Sequence, residues 1–143
     1  MAIVHFYEKP GCFNNTRQKQ ILVAAGHLLI VHDLLEQPWA ENRQRLRSFF
    51  ADLPIQQWFN PSAPAIKNGD IDPSRASEDD ALDWMIADPL LIRRPLMEAN
   101  GRRRVGFDVD NIDAWLGLAD DKPDPGTNLE NCPKTYHQQA CQP

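Results

Sequence analysis

The chain has 143 residues, of which 42% are hydrophobic and 24% charged, with 20 acidic against 15 basic side chains. This length fits one domain that buries its own core. The net charge of −5 argues against a general binder of nucleic acids or membrane surfaces. No apolar run approaches the roughly 18 residues of a membrane span, and the amino terminus lacks the features of a signal peptide. We therefore expect a cytoplasmic protein.

The first third of the chain predicts a βαβ unit. Residues 2–7 are apolar and rich in β-formers, and they end at the turn signal of residues 9–11. A helix ended by Gly26 follows, and residues 28–31 read as a second buried strand. The two strands of such a unit are parallel. The helix has three good N-cap residues near its start: Asn14, Asn15 and Thr16.

A helical insert over about residues 39–89 is predicted next. Ser77 and Asp80 form a capping box that opens its last helix, which ends at Asp88-Pro89. An earlier helix is indicated by apolar residues on one face, and Pro54 stops it. The members of that face are Trp39, Leu46, Phe49, Phe50 and Leu53.

The rest of the domain predicts a hairpin and a final helix. Residues 90–97 and 102–107 read as strands joined by an Asn100-Gly101 turn. Asp108 or Asp110 caps the helix, and Gly117 ends it. The order β-α-β, helical insert, β-β-α is that of a thioredoxin-like α/β fold with a mixed sheet, over residues 1–118. Residues 119–143 are polar and rich in proline, which predicts an extended, flexible tail.

Cys12 lies between the first predicted strand and the first predicted helix. Free backbone amides and the positive end of the helix dipole favour thiolate over thiol at such a position. Arg17 and Lys19, one to two turns further on, add positive charge. The pattern indicates a reactive cysteine, and the alternative is a small buried core residue. Asn15 occupies the third position after Cys12, so a CxxC dithiol is excluded.

A second candidate group lies in a basic segment. Five arginines and a single acidic residue lie between positions 93 and 104, which indicates either a local anion site or a solvated hairpin. Pro95 would open a strand, where proline is confined to special positions. In the thioredoxin layout this proline is cis and faces the cysteine, which would bring Arg94 close to Cys12. An arginine fork there can bind a tetrahedral oxyanion or a carboxylate.

The two cysteines of the predicted tail allow four interpretations. Cys132 and Cys141 could bind zinc together with His137, but the fourth ligand of a tetrahedral site is missing from the sequence nearby. Either could reach Cys12 as a resolving thiol, or they could pair with each other. They could also be incidental thiols. We predict no metal site, and no nucleotide cofactor because nucleotide-binding glycine motifs are absent from the sequence.

Two segments resemble the glutaredoxin-dependent arsenate reductase family, which includes the Spx-type regulators. They are residues 7–12 (Tyr-Glu-Lys-Pro-Gly-Cys) with the helix to Gly26, and residues 83–95, which end in Asp-Pro-Leu-Leu-Ile-Arg-Arg-Pro. The resemblance covers about residues 2–118. It implies a thioredoxin-like fold and attack by Cys12 on an oxyanion held by arginines, among them Arg94. Glutathione would be the co-substrate and glutaredoxin the partner in turnover.

The family's arginines are only partly present. The one expected after the helical insert is Asn60, and the one expected on the second hairpin strand is Gly106, with Arg103 and Arg104 nearby. An anion with two negative charges needs several charge-assisted donors, each worth about 1.5–3 kcal/mol. The resemblance therefore predicts weak arsenate reduction.

A smaller branch of the family, the nitrogenase-associated proteins, is similar in the loop of residues 9–20 and in the polar extension past residue 118. Our leading hypothesis is a nitrogen-fixation-associated thiol oxidoreductase or oxyanion-binding protein, with a nitrogenase-related protein or glutaredoxin as partner. Cys12 and Arg94 are its central residues, supported by Arg17, Lys19, Pro95, Arg103 and Arg104.

Two alternatives stand beside this hypothesis. The first is a working glutathione- and glutaredoxin-dependent arsenate reductase, in which Arg103 or Arg104 replaces a missing family arginine. The second is a non-enzymatic adaptor that uses the fold to bind a partner protein.

Overall fold

The computed structural model describes residues 1–130 of the chain. Its single four-stranded sheet has the order β2-β1-β3-β4. The central strand β1 (Ile3–Glu8) pairs in parallel with β2 (Leu28–Asp33) and antiparallel with β3 (Leu96–Ala99). β4 (Arg102–Val105) completes the hairpin with β3. The predicted thioredoxin-like fold with a mixed sheet is confirmed.

Both faces of the sheet carry helices, but the edge strand β2, which the sequence predicts to be buried, leaves Leu28, Ile30 and Val31 exposed. Side chains alternate between the faces along each strand, so β1 contributes Val4 and Phe6 to one apolar cluster and Tyr7 to another. The first cluster includes residues of α1 and α5, and the second is built by the helical insert. The helices are α1 (Phe13–Ala24), α2 (Arg43–Ser48), α3 (Pro64–Lys67), α4 (Glu78–Ala87) and α5 (Val109–Leu116). Within residues 1–130, none of them is long and apolar enough to cross a bilayer.

Three of the predicted local signals are found in the structure. The Ser77 hydroxyl accepts a hydrogen bond from the Asp80 amide (3.1 Å) at the start of α4. The Asp108 carboxylate likewise caps α5. Asn100 and Gly101, both with positive φ (53° and 75°), turn the chain between β3 and β4, as a two-residue hairpin requires.

The predicted helix over residues 39–53 is wrong in extent, because only α2 forms there. The indole N–H of Trp39 donates to the Leu34 carbonyl (2.9 Å), which holds Trp39 in a turn before the helix. Ala51, with φ of 47°, lies in the left-handed region beyond the helix end. The apolar pattern was a correct sign of burial nonetheless, since Trp39, Phe49 and Phe50 are all buried.

The predicted strand over residues 90–97 is also wrong for most of its length. Pro89–Leu91 forms a 3₁₀ turn, in which the Asp88 carboxylate accepts from the Leu90 amide (3.2 Å). Ile92 makes an isolated bridge to Phe59, and β3 begins only at Leu96. Proline has no N–H to offer a neighbouring strand, and prolines at 89 and 95 bracket this segment.

The extended tail predicted from residue 119 needs correction up to residue 130. Leu129 is 1% exposed and belongs to the first apolar cluster, together with Ile112 of α5. The predicted domain boundary at 118 therefore separates residues that share a core. Cys132 and Cys141 lie outside the described residues, so their predicted roles stay predictions.

Candidate active site around Cys12

Cys12 is the N-cap of α1, one turn earlier than the Asn14–Thr16 start that the sequence predicts. Its amide donates to the Lys9 carbonyl (3.1 Å), and its own carbonyl accepts from the amide and the hydroxyl of Thr16 (3.1 and 3.2 Å). The thiol thus stands at the positive end of the helix dipole, beside first-turn amides that the helix itself does not use.

The surroundings of Cys12 are polar, although the residue is only 3% exposed. Neither apolar cluster of the described chain includes it. Asn15 accepts from the Lys9 amide (3.0 Å) and donates to the Gln18 side chain (2.9 Å), and both of these polar side chains are buried. Buried polar groups at this density argue against the core-cysteine alternative.

Asn14, two residues after the thiol, adds an unusual feature. Its side chain is 1% exposed, and its Nδ2 has no hydrogen-bond acceptor within residues 1–130. A buried donor without an acceptor costs free energy, and native proteins contain few of them. A buried, unsatisfied donor therefore lies two residues along the chain from the thiol.

The sheet register brings the Arg94-Pro95 pair to the Cys12 loop. Tyr7 of β1 faces Leu96 of β3, so the residues before Leu96 run beside the residues after Tyr7. The Arg94–Pro95 peptide bond is cis, as the sequence analysis predicted. The Pro95 carbonyl accepts from the Gly106 amide (2.9 Å), which ties this segment to the end of the hairpin.

Lys9 is a member of this site that sequence analysis missed. Burial lowers the pKa of Lys9 below its usual 10.5, and the positive charge of Arg94 lowers it further. Cys12 acts on the same pKa in the opposite direction, as a negative sulfur would. Lys9, Cys12 and Arg94 therefore form one electrostatic group, although the sequence shows Lys9 only as part of a turn.

The two predicted supporting residues on α1 differ in their surroundings. Lys19 forms an ion pair with Glu8 (2.6 Å), so its charge is already neutralised by a carboxylate of β1. Arg17 is half-buried on α1, five residues after Cys12. The site's positive charge thus depends more on Lys9 and Arg94 than the sequence pattern suggested.

Arg103 and Arg104 point to opposite faces of β4. Arg103 donates to Glu98 (3.2 Å) and to the Ser48 hydroxyl (2.9 Å), on the face covered by the helical insert. Arg104 lies over the ring of Trp115, 5.8 Å from its centroid. Both guanidinium groups are engaged with these neighbours, and within residues 1–130 neither forms a hydrogen bond or an ion pair with the Cys12 loop.

Asn60, where the family resemblance implies an arginine, has a structural role. Its Oδ1 accepts from the Ser62 amide (3.0 Å), and its backbone amide donates to the Leu91 carbonyl (2.8 Å). The residue is 8% exposed. A short amide thus fixes the loop where a guanidinium was expected.

At Gly106, the second position where an arginine was expected, another arginine takes the space. The Nη2 of Arg93 lies 2.6 Å from the place where a Cβ of residue 106 would stand. Gly106 has a φ of +86°, which L side chains rarely adopt. A guanidinium is therefore present beside the hairpin end, but residue 93 supplies it.

Gly106→Ala should destabilise the fold more than Gly69→Ala does. Both glycines have left-handed φ values (+86° and +82°), but in the described part of the chain no atom lies within 4 Å of a would-be Cβ at Gly69. The conformational cost of about 1–2 kcal/mol is common to both, and only Gly106→Ala must also displace Arg93. Urea denaturation measures the two free energies of unfolding. Equal losses would show that displacing the Arg93 guanidinium costs no measurable stability.

In the described part of the chain, no three His, Cys, Asp or Glu side chains are arranged to hold a metal ion.

The chain is similar to a protein-family model and to a known bacterial protein. A model of the ArsC family matches residues 9–115. A Rhodospirillum rubrum protein, described as an uncharacterized 15.7 kDa protein in the draG 3′ region, is 47% identical over 141 residues, covering 99% of this chain and 95% of that one.

Two solved structures share the fold. An arsenate reductase from Vibrio cholerae is 25% identical, with a TM-score of 0.61 over 73% of this chain and 90% of its own. An arsenate reductase-related protein from Brucella melitensis is 23% identical, with a TM-score of 0.57 over 78% of this chain and 92% of its own. Since the matched residues include Cys12, Arg94 and most of the domain, this chain belongs to the ArsC family.

Proposed function

We propose that the protein is a thiol-based oxidoreductase or oxyanion-binding protein whose reacting group is Cys12. The observation that carries the proposal is the joint position of Cys12, Lys9 and Arg94. The thiol is the N-cap of α1, and it shares an electrostatic environment with two cations. Helix-start amides and nearby cations are what convert an ordinary thiol into a nucleophilic thiolate.

The thiolate would react by forming a bond from sulfur to an electrophilic centre. With glutathione disulfide, Cys12 would form a mixed disulfide as the existing S–S bond breaks and one glutathione leaves as its thiolate. With arsenate, sulfur would bond to arsenic as an arsenic–oxygen bond breaks, and the leaving oxygen would take up protons from solvent and depart as water. Lys9, Arg94 and the Asn14 amide would act as donors to the negative oxygens in either case.

The arginine pattern favours thiol exchange over arsenate reduction. Asn60 is committed to its own loop, and Gly106 has no side chain to offer. Arg103 and Arg104, the candidate replacements, are engaged with other neighbours. A doubly charged anion needs several charge-assisted donors, each worth about 1.5–3 kcal/mol, and neither position 60 nor position 106 supplies one.

The association with nitrogen fixation is part of this proposal and rests on the loop of residues 9–20. The relative from Rhodospirillum rubrum is described as uncharacterized, so it carries no activity to this chain. A cytoplasmic location and a glutaredoxin or nitrogenase-related partner belong to the same proposal.

Glutathione disulfide should add one glutathionyl group to Cys12 in the native protein. The experiment uses the full chain carrying Cys132→Ser and Cys141→Ser, so that Cys12 is the only remaining thiol of the three. Intact-mass spectrometry should show a single adduct that dithiothreitol removes, since a thiolate attacks the disulfide sulfur.

The matched control adds Cys12→Ser to the same variant and should form no adduct. If Cys12 reacts only after the protein is denatured, it is a structural thiol. The adaptor alternative then replaces both enzymatic hypotheses.

Arsenate reduction with glutathione and glutaredoxin should be absent or at least about tenfold slower than in a family reductase that has all its arginines, a difference of about 1.4 kcal/mol. The same coupled assay with Asn60→Arg tests whether a cation at that loop raises the rate. Restoring an arginine at position 106 should not help, because Arg93 occupies its space. A rate equal to that of the intact reductase would instead establish the arsenate reductase alternative.

A further inference from the structure

Residues 126–130, which we call the strap, are seated on the domain beyond the part that matches the ArsC family model. Leu129 is buried in the first apolar cluster. Its carbonyl accepts a 2.6 Å hydrogen bond from the buried Gln18 side chain of α1. One apolar anchor and one buried hydrogen bond therefore hold the strap beside the first helix.

The strap ends by presenting a carboxylate to Arg93. Glu130 receives hydrogen bonds from the Nε and Nη2 of Arg93 at 2.7 and 2.9 Å, and a third from the Phe107 amide at 3.0 Å. The two side chains are 24% and 22% exposed. A guanidinium fork with an added backbone amide is the donor set that proteins use for carboxylates and tetrahedral oxyanions.

These donors have positions that do not depend on Glu130. The Nη1 of Arg93 donates to the Gln57 carbonyl (3.1 Å), and its backbone amide donates to the Trp58 carbonyl (3.0 Å). Gly106, lacking a Cβ, leaves room for the guanidinium. If the strap moved away, the fork and the Phe107 amide would remain aimed at the same point.

Solvent can reach this point from both sides. Arg93 lines two open clefts, of about 920 and 550 Å³. The strap forms part of the smaller cleft. Arg102 and Arg104 line the larger one, together with the acidic Asp52 and Asp108. A small ligand therefore has a route to the guanidinium once the carboxylate leaves.

We propose that Arg93 and the Phe107 amide form an anion-binding site, and that Glu130 is its internal ligand, which an external oxyanion must displace. The ligand class is a small anion with two adjacent oxygens, either a carboxylate or a tetrahedral oxyanion. The strap then controls access to the site. The site does not require a reactive Cys12, so it can exist even if the proposed thiol chemistry fails.

Glu130→Gln tests the proposal, because it removes the charge and keeps the shape of the side chain. Titration with inorganic phosphate and, separately, with sodium acetate is followed at the Phe107 amide by NMR. We expect the variant to bind at least one of the two anions at least about tenfold more tightly than wild type, since no internal charge competes for the fork. The two titrations distinguish a tetrahedral from a planar ligand.

Three further variants make the test specific. Glu78→Gln, the matched control, removes a carboxylate that pairs with Arg47, and it should bind anions like wild type. Leu129→Ala loosens the strap without changing any charge and should also strengthen binding. Adding Arg93→Gln to Glu130→Gln should abolish the gain.

The proposal is overturned if Glu130→Gln and Leu129→Ala both bind phosphate and acetate no more tightly than wild type. It is also overturned if the gain in the Glu130→Gln variant survives Arg93→Gln, because the anion would then bind elsewhere. An amide spectrum that matches wild type outside the strap and the hairpin end verifies that each variant is folded.

Discussion

The candidate site depends on the pairing of the central strand β1 with neighbours on both sides. Hydrogen bonding to β2 and β3 fixes the end of β1, and the chain then turns so that Cys12 caps α1. The antiparallel partner β3 enters the sheet directly from Arg94 and Pro95. A thiol, a helix start and an arginine therefore meet at one edge, although 82 positions separate Cys12 from Arg94. The pKa of Lys9 is lowered because Lys9 is partly buried and because Arg94 lies close to it.

The arginines of this chain are placed differently from those that the family resemblance implies, and this difference affects which anions the site can bind. Asn60 stabilises a loop, and the Arg93 guanidinium occupies the space that a side chain at position 106 would need. The cation that lies beside the hairpin end is paired with Glu130, a carboxylate of the chain itself. We propose that one region carries the reacting thiol and that a neighbouring region carries an anion site, which Glu130 fills. The two proposals assign separate roles to these regions.

The sequence predicted well the features that depend on local chemistry. Caps at Ser77 and Asp108 and the Asn100-Gly101 turn were recognisable because each is set by a few adjacent residues. The insert helix over residues 39–53 and the strand over 90–97 were wrong because tertiary contacts overruled periodicity: an indole hydrogen bond holds Trp39 in a turn, and prolines bracket the second segment. The sequence did not predict the interactions of Lys9 with Arg94 or of Arg93 with Glu130, because the partners are distant in sequence. Only the unusual density of arginines pointed toward such a site.

If Lys9, Cys12 and Arg94 form one electrostatic group, the pKa of Lys9 must respond to changes at the other two residues. With ¹³C-labelled lysine, the Cε signal missing from Lys9→Arg identifies Lys9, and its shift against pH gives the pKa. We expect a value below 10.5 in wild type, a higher value in Arg94→Met, where a cation is lost, and a lower value in Cys12→Ser, where a negative charge is lost. A pKa of about 10.5 in all three proteins would show that the Lys9 ammonium group does not interact with Cys12 or Arg94.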